Sequence, residues 1–220
     1  MRQGLIEANP GARIQQLRET PWEKGVLAVE EARRLLDENK VADTWKTETA
    51  FAANLLSATT GLRLGEVLAL RVQDIRDGRL IIKHSWDRAH GLKGTKTGRL
   101  REVPMPGKTA RWLLCSMGNR STGFVFSANG GASPVYDKVV TAGLYDALEK
   151  MGISPEERKL RNVSFHSWRH FYNSVLRGRV SDAKLRRLTG HSTAEMTERY
   201  SHFKADDFRD VLAIQEELAI

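Results

Sequence analysis

The chain has 220 residues, enough for one domain with a single ample hydrophobic core. Its 35 Lys and Arg residues against 27 Asp and Glu give a formal net charge of +8, which favours an acidic partner. A single cysteine excludes an internal disulfide, and no apolar stretch approaches the roughly 20 residues that a membrane-spanning helix needs. Because the N-terminus also lacks a hydrophobic signal core, we expect a cytoplasmic protein, with Cys115 packed in its apolar run.

The basic residues are concentrated in two segments. Residues 83–120 contain nine basic and two acidic residues, a net charge of +7, and residues 158–187 contain nine basic and one acidic, a net charge of +8. Clustered positive charge favours a polyanion, because neutralised phosphates release counterions, whereas scattered charge only keeps a surface soluble. We therefore expect a nucleic acid partner, with a solvated charged face as the alternative. The first segment holds Lys93, Arg99 and Arg101 as candidate DNA contacts.

Taken in chain order, the sequence predicts a mainly α fold with a small three-stranded antiparallel sheet. Residues 1–24 contain Gly and Pro without sustained periodicity and predict a tether. Helical spacing of apolar residues predicts three helices next, over 27–36, 47–59 and 64–70. Extended chain follows at 80–86 and 100–105, with turn signals at Asp77-Gly78 and Thr97-Gly98. The remaining predicted helices cover 108–117, 135–151, 167–177, 182–188, 194–200 and 206–217.

Three polar residues near the C-terminus suit phosphate chemistry. His166 and Arg169 are three residues apart at a predicted helix start, so their side chains project from one side of that helix. The arginine fork matches two nonbridging phosphate oxygens, and a histidine exchanges protons near neutrality. Tyr200 lies in a polar neighbourhood that would be unusual for a core tyrosine. A tyrosine hydroxyl has an ordinary pKa of about 10, so its attack at neutral pH needs cationic neighbours or a base.

A zinc site is the rival interpretation of the histidines. His166 and His170 are four residues apart, and His191 and Cys115 could supply further ligands. The segment lacks the glutamate that follows the first histidine of a zinc-protease helix, and Arg169 places a cation between the ligands. We therefore expect neither a metal nor another cofactor.

Taken singly, the remaining polar residues have ordinary structural explanations. His191 follows Gly190, a helix stop, and could simply bond the backbone. Arg63 and Lys96 could be solvated cations, but the whole set in this order is improbable by chance.

These motifs together resemble the catalytic domain of the tyrosine recombinases, the phage integrase family. The resemblance covers about residues 25–203, and Thr189 and Ser167-Trp168 depart from the commoner leucine and Asp-Leu without altering a chemical group. The matching motifs are Thr60-Gly61-Leu62-Arg63-Leu64-Gly65-Glu66, Thr95-Lys96-Thr97-Gly98 followed by Val103-Pro104, the box from His166 to His170, and Thr189-Gly190-His191 nine residues before Tyr200.

The resemblance implies a site-specific DNA recombinase that works without metal or ATP. Tyr200 would attack the scissile phosphate and form a covalent 3′-phosphotyrosyl link. Arg63 and Arg169 would hold the nonbridging oxygens, His191 would add a hydrogen bond, and His166 would act as acid and base near the tyrosine.

Other residues receive supporting roles from the same resemblance. Lys96 would protonate the leaving oxygen, Glu66 would orient Arg63, and His170 would lie behind the reacting groups. Residues 1–24 would be the linker from an absent N-terminal DNA-binding domain.

The expected partners are double-stranded DNA and further copies of the chain, as a tetramer on DNA. Residues 204–220 would form a tail helix whose apolar stripe packs either on its own domain or on a neighbouring protomer. Two alternatives stay open: a type IB topoisomerase-like enzyme that nicks and closes DNA, and a DNA-binding regulator that never cuts.

Overall fold

The computed structural model describes residues 25–95, 98, 100–190 and 208–218. Its helices are α1 (Val29–Leu35), α2 (Val41–Thr44), α3 (Glu48–Thr60), α4 (Leu64–Leu68), α5 (Gly107–Met117), α6 (Asp137–Lys150), α7 (Pro155–Leu160), α8 (Ser167–Leu176), α9 (Asp182–Thr189) and α10 (Arg209–Leu218). Its strands are β1 (Ile75–Arg76), β2 (Arg79–Ile82), β3 (His84–Asp87), β4 (Gly91–Gly94) and β5 (Arg101–Pro104). Short 3₁₀ turns cover Glu38–Lys40 and Val72–Asp74.

The centre of the fold is α3. Thr47 caps its start by accepting a hydrogen bond from the Ala50 amide, and Gly61 ends it in the left-handed conformation with φ of +68°. Nearly every residue of α3 is buried, because α5, α6, α8 and α10 pack around it. Gly143 lets α6 approach α3 closely, since a Cβ atom there would lie 2.5 Å from the Ala50 side chain.

The predicted three-stranded antiparallel sheet is present, and a second, two-stranded antiparallel sheet accompanies it. Strands β1, β2 and β5 form a three-stranded sheet with β2 in the middle, and β3 pairs with β4 as a separate hairpin. The chain leaves the first sheet at Lys83, so the predicted strand over 80–86 is two strands. Gly65 of α4 packs against β3, and a Cβ there would lie 2.5 Å from Ser85 Oγ. The hairpin is thereby fixed beside the start of α4.

The helix predictions are confirmed in type, with boundaries shifted by a few residues. The helix predicted over 194–200 lies outside the described residues, and α2 and α7 were missed. Cys115 was expected to be packed but is exposed, because Leu113 and Met117 occupy the buried face of α5. No helix in the described part of the chain is long and apolar enough to cross a membrane.

The tail helix α10 packs on its own domain. Its apolar stripe is buried at Val211, Ile214 and Leu218, and α10 lies against α3. Two ion pairs, Lys184–Asp210 and Arg179–Glu217, tie its two ends to α9 and to the loop after α8. Docking of the tail on a neighbouring protomer stays a prediction.

Candidate active site

Arg63 lies in the turn between α3 and α4, where it is the N-terminal cap residue of α4. Glu66, three residues later, closes a capping box: its Oε2 accepts a hydrogen bond from the Arg63 amide at 2.9 Å. Its Oε1 accepts a second one from Arg63 Nη1 at 3.2 Å. The Arg63 side chain is 29% exposed, so its guanidinium is anchored on one side and open to solvent on the other.

The Glu66 carboxylate is buried and shared between two arginines. Arg101 donates to both of its oxygens, with Nη1 at 3.0 Å from Oε1 and Nη2 at 2.7 Å from Oε2. Burial raises the pKa of Glu66, but the hydrogen bonds and charge of Arg101, together with Arg63, outweigh burial and lower the pKa overall. The Glu66 carboxylate therefore bridges the two arginines, and its expected role in orienting Arg63 stays a prediction.

Arg101 is not the exposed DNA contact that the sequence suggested. Its side chain is 6% exposed, and its Nε donates to the Leu188 carbonyl oxygen at 2.8 Å. All three of its nitrogen atoms therefore bond inside the protein, and none is presented to a ligand. The strand position placed it inward, because β5 alternates buried Arg101 and Val103 with exposed Glu102.

Arg169 lies on the buried side of α8 and is 2% exposed. Its Nη1 donates to the Gly61 carbonyl oxygen at 2.8 Å, and its Nη2 donates to the Thr189 carbonyl oxygen. Burial, followed by the positive charge of Arg63, lowers the pKa of Arg169, which nevertheless remains a cation at neutral pH. Two of its five N–H groups are thus used by these carbonyls, leaving donors for an anion.

The two buried arginines hold the C-terminal end of α9. Arg101 binds the carbonyl of Leu188 and Arg169 binds that of Thr189, two of the carbonyls that a helix leaves without partners at its end. Gly190 then ends α9 with φ of +63°, and a Cβ there would lie 3.3 Å from Arg101 Nη1. The next residue in sequence, His191, lies outside the described residues, as do Lys96, Arg99 and Tyr200.

His166 and His170 lie at the start of α8. His166 is the cap residue of the helix and is exposed, while His170 is half-buried one turn later. Their rings meet edge to face, with centroids 4.9 Å apart. The helix is held in place by Trp168, whose Nε1 donates to Asn54 Oδ1 of α3 at 2.8 Å. Trp168, one of the departures from the commoner motif, therefore ties the start of α8, which carries both histidines, to α3.

The candidate ligands of the rival zinc interpretation are not assembled in the described part of the chain. Cys115 lies exposed on α5, and no group of three or more His, Cys, Asp or Glu residues there is arranged to hold a metal ion. His191 is not among these residues.

A groove of about 640 Å³ opens beside Arg63. One wall is the start of α4 and the β3–β4 hairpin, and the other is the loop that leads into α6. On the hairpin side, Lys93 pairs with Asp87 and is 47% exposed, and this pairing holds the pKa of Asp87 well below its usual range. Across the groove Tyr136 is 71% exposed and Arg88 stacks over its ring. Arg88 and Tyr136 were not predicted from the sequence, because no motif marks them.

Comparison with known proteins places this arrangement in a family. The model of the phage integrase family matches residues 25–206. A protein of Pseudomonas phage Pf1 is 23% identical over 207 residues, which cover 94% of this chain and 53% of that protein. The shufflon-specific DNA recombinase of Escherichia coli is 28% identical over 156 residues, which cover 68% of this chain and 34% of the recombinase. The chain thus spans about half, or less, of the length of these relatives.

Solved structures share the fold. The Tn1549 transposon integrase, in complex with a circular intermediate DNA, superposes with a TM-score of 0.67 at 21% identity, covering 94% of this chain and 72% of that one. The lambda integrase dimer bound to a COC′ core site gives a TM-score of 0.61 at 18% identity, covering 87% and 66%. The predicted fold class is confirmed by these likenesses.

Proposed function

Because the chain belongs to the phage integrase family, we propose that it carries the catalytic domain of a site-specific DNA recombinase. The observation that carries this proposal is the cluster of Arg63, Arg101 and Arg169 around the single carboxylate of Glu66. Among the described residues, these three guanidinium groups and one carboxylate leave a net charge of +2 at the start of α4. A site of this charge, largely buried, is suited to an anion that gains charge as it reacts.

A phosphodiester under nucleophilic attack is such an anion. The diester carries one negative charge and its pentacoordinate transition state carries two, so the +2 charge of the cluster is balanced in the transition state but leaves one positive charge in excess in the ground state. Catalysis requires this difference, because equal binding of both states would not raise the rate. Of the three cations, Arg63 is open to solvent and is the one placed to meet the phosphate first.

The proposed reaction assigns the remaining roles. The Tyr200 hydroxyl oxygen forms a bond to phosphorus while the bond from phosphorus to the 5′ oxygen breaks, which leaves a 3′-phosphotyrosyl link. His166 takes the tyrosine proton, and Lys96 gives a proton to the departing 5′ oxygen. A second DNA 5′ hydroxyl reverses these steps and releases the tyrosine. The bond energy is conserved in the covalent link, so ATP is not consumed.

Arg169 and His191 complete the proposed phosphate site. Arg169 would use its unoccupied N–H groups on a nonbridging oxygen, and His191 would donate a further hydrogen bond. His170 would support His166 across their ring contact.

Duplex DNA is the proposed substrate, bound by several copies of the chain, with a tetramer as the expected assembly on DNA. The DNA complexes among its structural neighbours support this substrate. Lys93, on the rim of the groove beside Arg63, is a proposed DNA contact, as is Arg99.

A nicking and closing enzyme is the second candidate, because it would use the same chemistry without pairing two DNA sites. The apolar stripe of α10 no longer argues against it, since Val211, Ile214 and Leu218 are buried on their own domain. The two candidates differ in their products. Recombination joins strands from two duplexes, whereas nicking and closing changes only the topology of one duplex.

The test of the covalent step uses nicked duplexes with a randomised core, which trap the protein when the short cleaved strand diffuses away. After incubation at low salt, a denaturing gel should show a protein–DNA adduct in the wild type and none in Tyr200→Phe. The adduct should form equally with EDTA present. No adduct in the wild type, or one that persists in Tyr200→Phe, contradicts the mechanism.

A further inference from the structure

We propose that Arg101 is a positioning residue that keeps Arg63 available for the scissile phosphate. This inference rests on the proposed function, and it concerns a residue that does not itself touch DNA. Arg101 acts by occupying Glu66 and by fixing the end of α9 against the start of α4.

The contacts of Arg101 exclude a direct role. The residue is 5% exposed, and its three nitrogen atoms are hydrogen-bonded to the two oxygens of Glu66 and the carbonyl of Leu188. By contrast, Arg63 has one hydrogen bond from its guanidinium, at 3.2 Å, and is 29% exposed. The strong, doubly bonded partner of Glu66 is therefore Arg101, and Arg63 is only weakly held.

Charge balance explains what Arg101 does for Arg63. A buried carboxylate needs a cationic partner, because an unpaired charge in this environment is very unfavourable. Arg101 supplies this cationic partner to Glu66. The Arg63 guanidinium therefore keeps most of its N–H donors, and a positive charge that Glu66 does not cancel, for a ligand. Without Arg101, Glu66 would draw the Arg63 guanidinium into a two-point pair, turned away from solvent. The net charge of the cluster would also fall from +2 to +1.

The third contact joins two parts of the site. Arg101 binds Glu66 at the start of α4 and Leu188 at the end of α9, so one side chain sets the spacing between these elements. Gly190, directly after α9, leaves just enough room for the guanidinium, since a Cβ there would lie 3.3 Å from Nη1. Arg101 thereby orients the chain that continues to His191 relative to Arg63.

The primary test compares the rate of adduct formation with DNA affinity in Arg101→Gln. We expect the rate to fall about 10²-fold, as for a small misplacement of reacting groups, with duplex affinity within about twofold of the wild type. The slope of log affinity against log salt should stay unchanged, because a lost phosphate contact would reduce it by about 1. A wild-type rate, or a reduced slope, overturns the proposal.

A second substitution separates positioning from mere stability. Adding Glu66→Gln to Arg101→Gln removes the carboxylate that would capture Arg63, so the double variant should cut about tenfold faster than Arg101→Gln. A double variant as slow as the single one overturns the charge argument. Arg161→Gln is the matched control, because Arg161 also forms a two-point pair, at 2.7 Å, with Glu31 between α7 and α1. The Arg161→Gln variant should be less stable than the wild type but should form the adduct at the wild-type rate.

Two further measurements test the proposal if Arg101→Gln fails to fold. If circular dichroism shows Arg101→Gln unfolded, Arg101→Lys replaces it, and we expect a rate at least about fivefold below the wild type because one ammonium cannot replace the fork. In the wild type, the Nε–H of Arg101 should exchange slowly with solvent with and without DNA, and rapid exchange overturns the proposal. Absence of an adduct in the wild type itself would instead refute the proposed function, which the exchange measurement does not depend on.

Discussion

Gln215 of α10 donates a hydrogen bond to the hydroxyl of Tyr172 on α8 at 3.1 Å, with both side chains fully buried. Burial is the main cause that raises the pKa of Tyr172, so its hydroxyl stays neutral. The ring of Tyr172 also lies against Gly61, whose carbonyl binds Arg169. The tail helix, the core and the candidate phosphate site therefore meet at this tyrosine.

Tyr172→Phe should destabilise the fold by about 1–3 kcal/mol, because it leaves the buried amide of Gln215 without this acceptor. Urea unfolding followed by fluorescence measures the change. Tyr136→Phe is the control, since Tyr136 is 71% exposed and its loss of a hydroxyl should leave stability unchanged. Equal unfolding midpoints for Tyr172→Phe and the wild type would show that the buried hydrogen bond contributes nothing.

Gly61→Ala should be more harmful than the same change at Gly78. Both glycines have a positive φ, +68° and +72°, and alanine in that conformation costs about 1 kcal/mol at either site. At Gly61 the new Cβ would also lie 2.5 Å from the Tyr172 ring, whereas Gly78 has open space around it. We expect Gly61→Ala to lower the free energy of unfolding by about 2 kcal/mol more than Gly78→Ala does. Thermal unfolding of the two variants gives the comparison, and similar losses would refute the close contact.

The sequence predicted α3 and the position of Arg63 well because both depend on local signals. Between the cap Thr47 and the stop Gly61, the residues after Glu48 are apolar or uncharged, which specifies a buried helix, and Arg63 then falls at the next helix start. The role of Arg101 was not predictable in the same way. A lone arginine in a short strand of a basic segment suggests a surface contact, and its partners Glu66 and Leu188 are distant in sequence.

The hairpin of β3 and β4 was missed for a related reason. Its second strand, Gly91–Gly94, has two glycines and little β propensity, so only pairing with β3 defines it. The α7 helix, in contrast, had a readable start at Ser154-Pro155, where Ser154 accepts a hydrogen bond from Glu157. The exposure of Cys115 followed from helical phase, which the apolar run obscured.

The stability of the fold should fall in acid partly through Glu66. Its pKa is lowered from the ordinary value of 4.5, so its contribution is fully present above pH 4.5 and is lost as the pH falls through the lower, folded-state value. Glu66→Gln should lower the free energy of unfolding by about 3 kcal/mol at pH 7, because Arg101 is left without its buried partner. This loss should become smaller as the pH is lowered below 4.5.

Urea unfolding of the wild type and of Glu66→Gln, from pH 7 to below pH 4.5, measures the difference in their free energies of unfolding. Glu102→Gln serves as the control, because Glu102 is 50% exposed in its pair with Arg79 and should contribute less than about 1 kcal/mol at any pH. A cost for Glu66→Gln that is independent of pH would mean that its carboxylate does not provide the stabilisation.

Arg63→Lys should separate the shape of the phosphate-binding group from its charge. Lysine keeps the cation but loses the planar fork, so it cannot hold two nonbridging oxygens at once. We expect adduct formation to slow about 10²-fold, comparable with the loss of one donor to a transition-state oxyanion, while duplex affinity changes little. The control is Arg33→Lys, since Arg33 is a 55% exposed partner of Glu30 on α1, outside the candidate site. Single-turnover trapping on the nicked duplexes gives both rates. If Arg63→Lys cuts as fast as the wild type, two-point binding of the phosphate by Arg63 is not part of the mechanism, and charge alone explains its position.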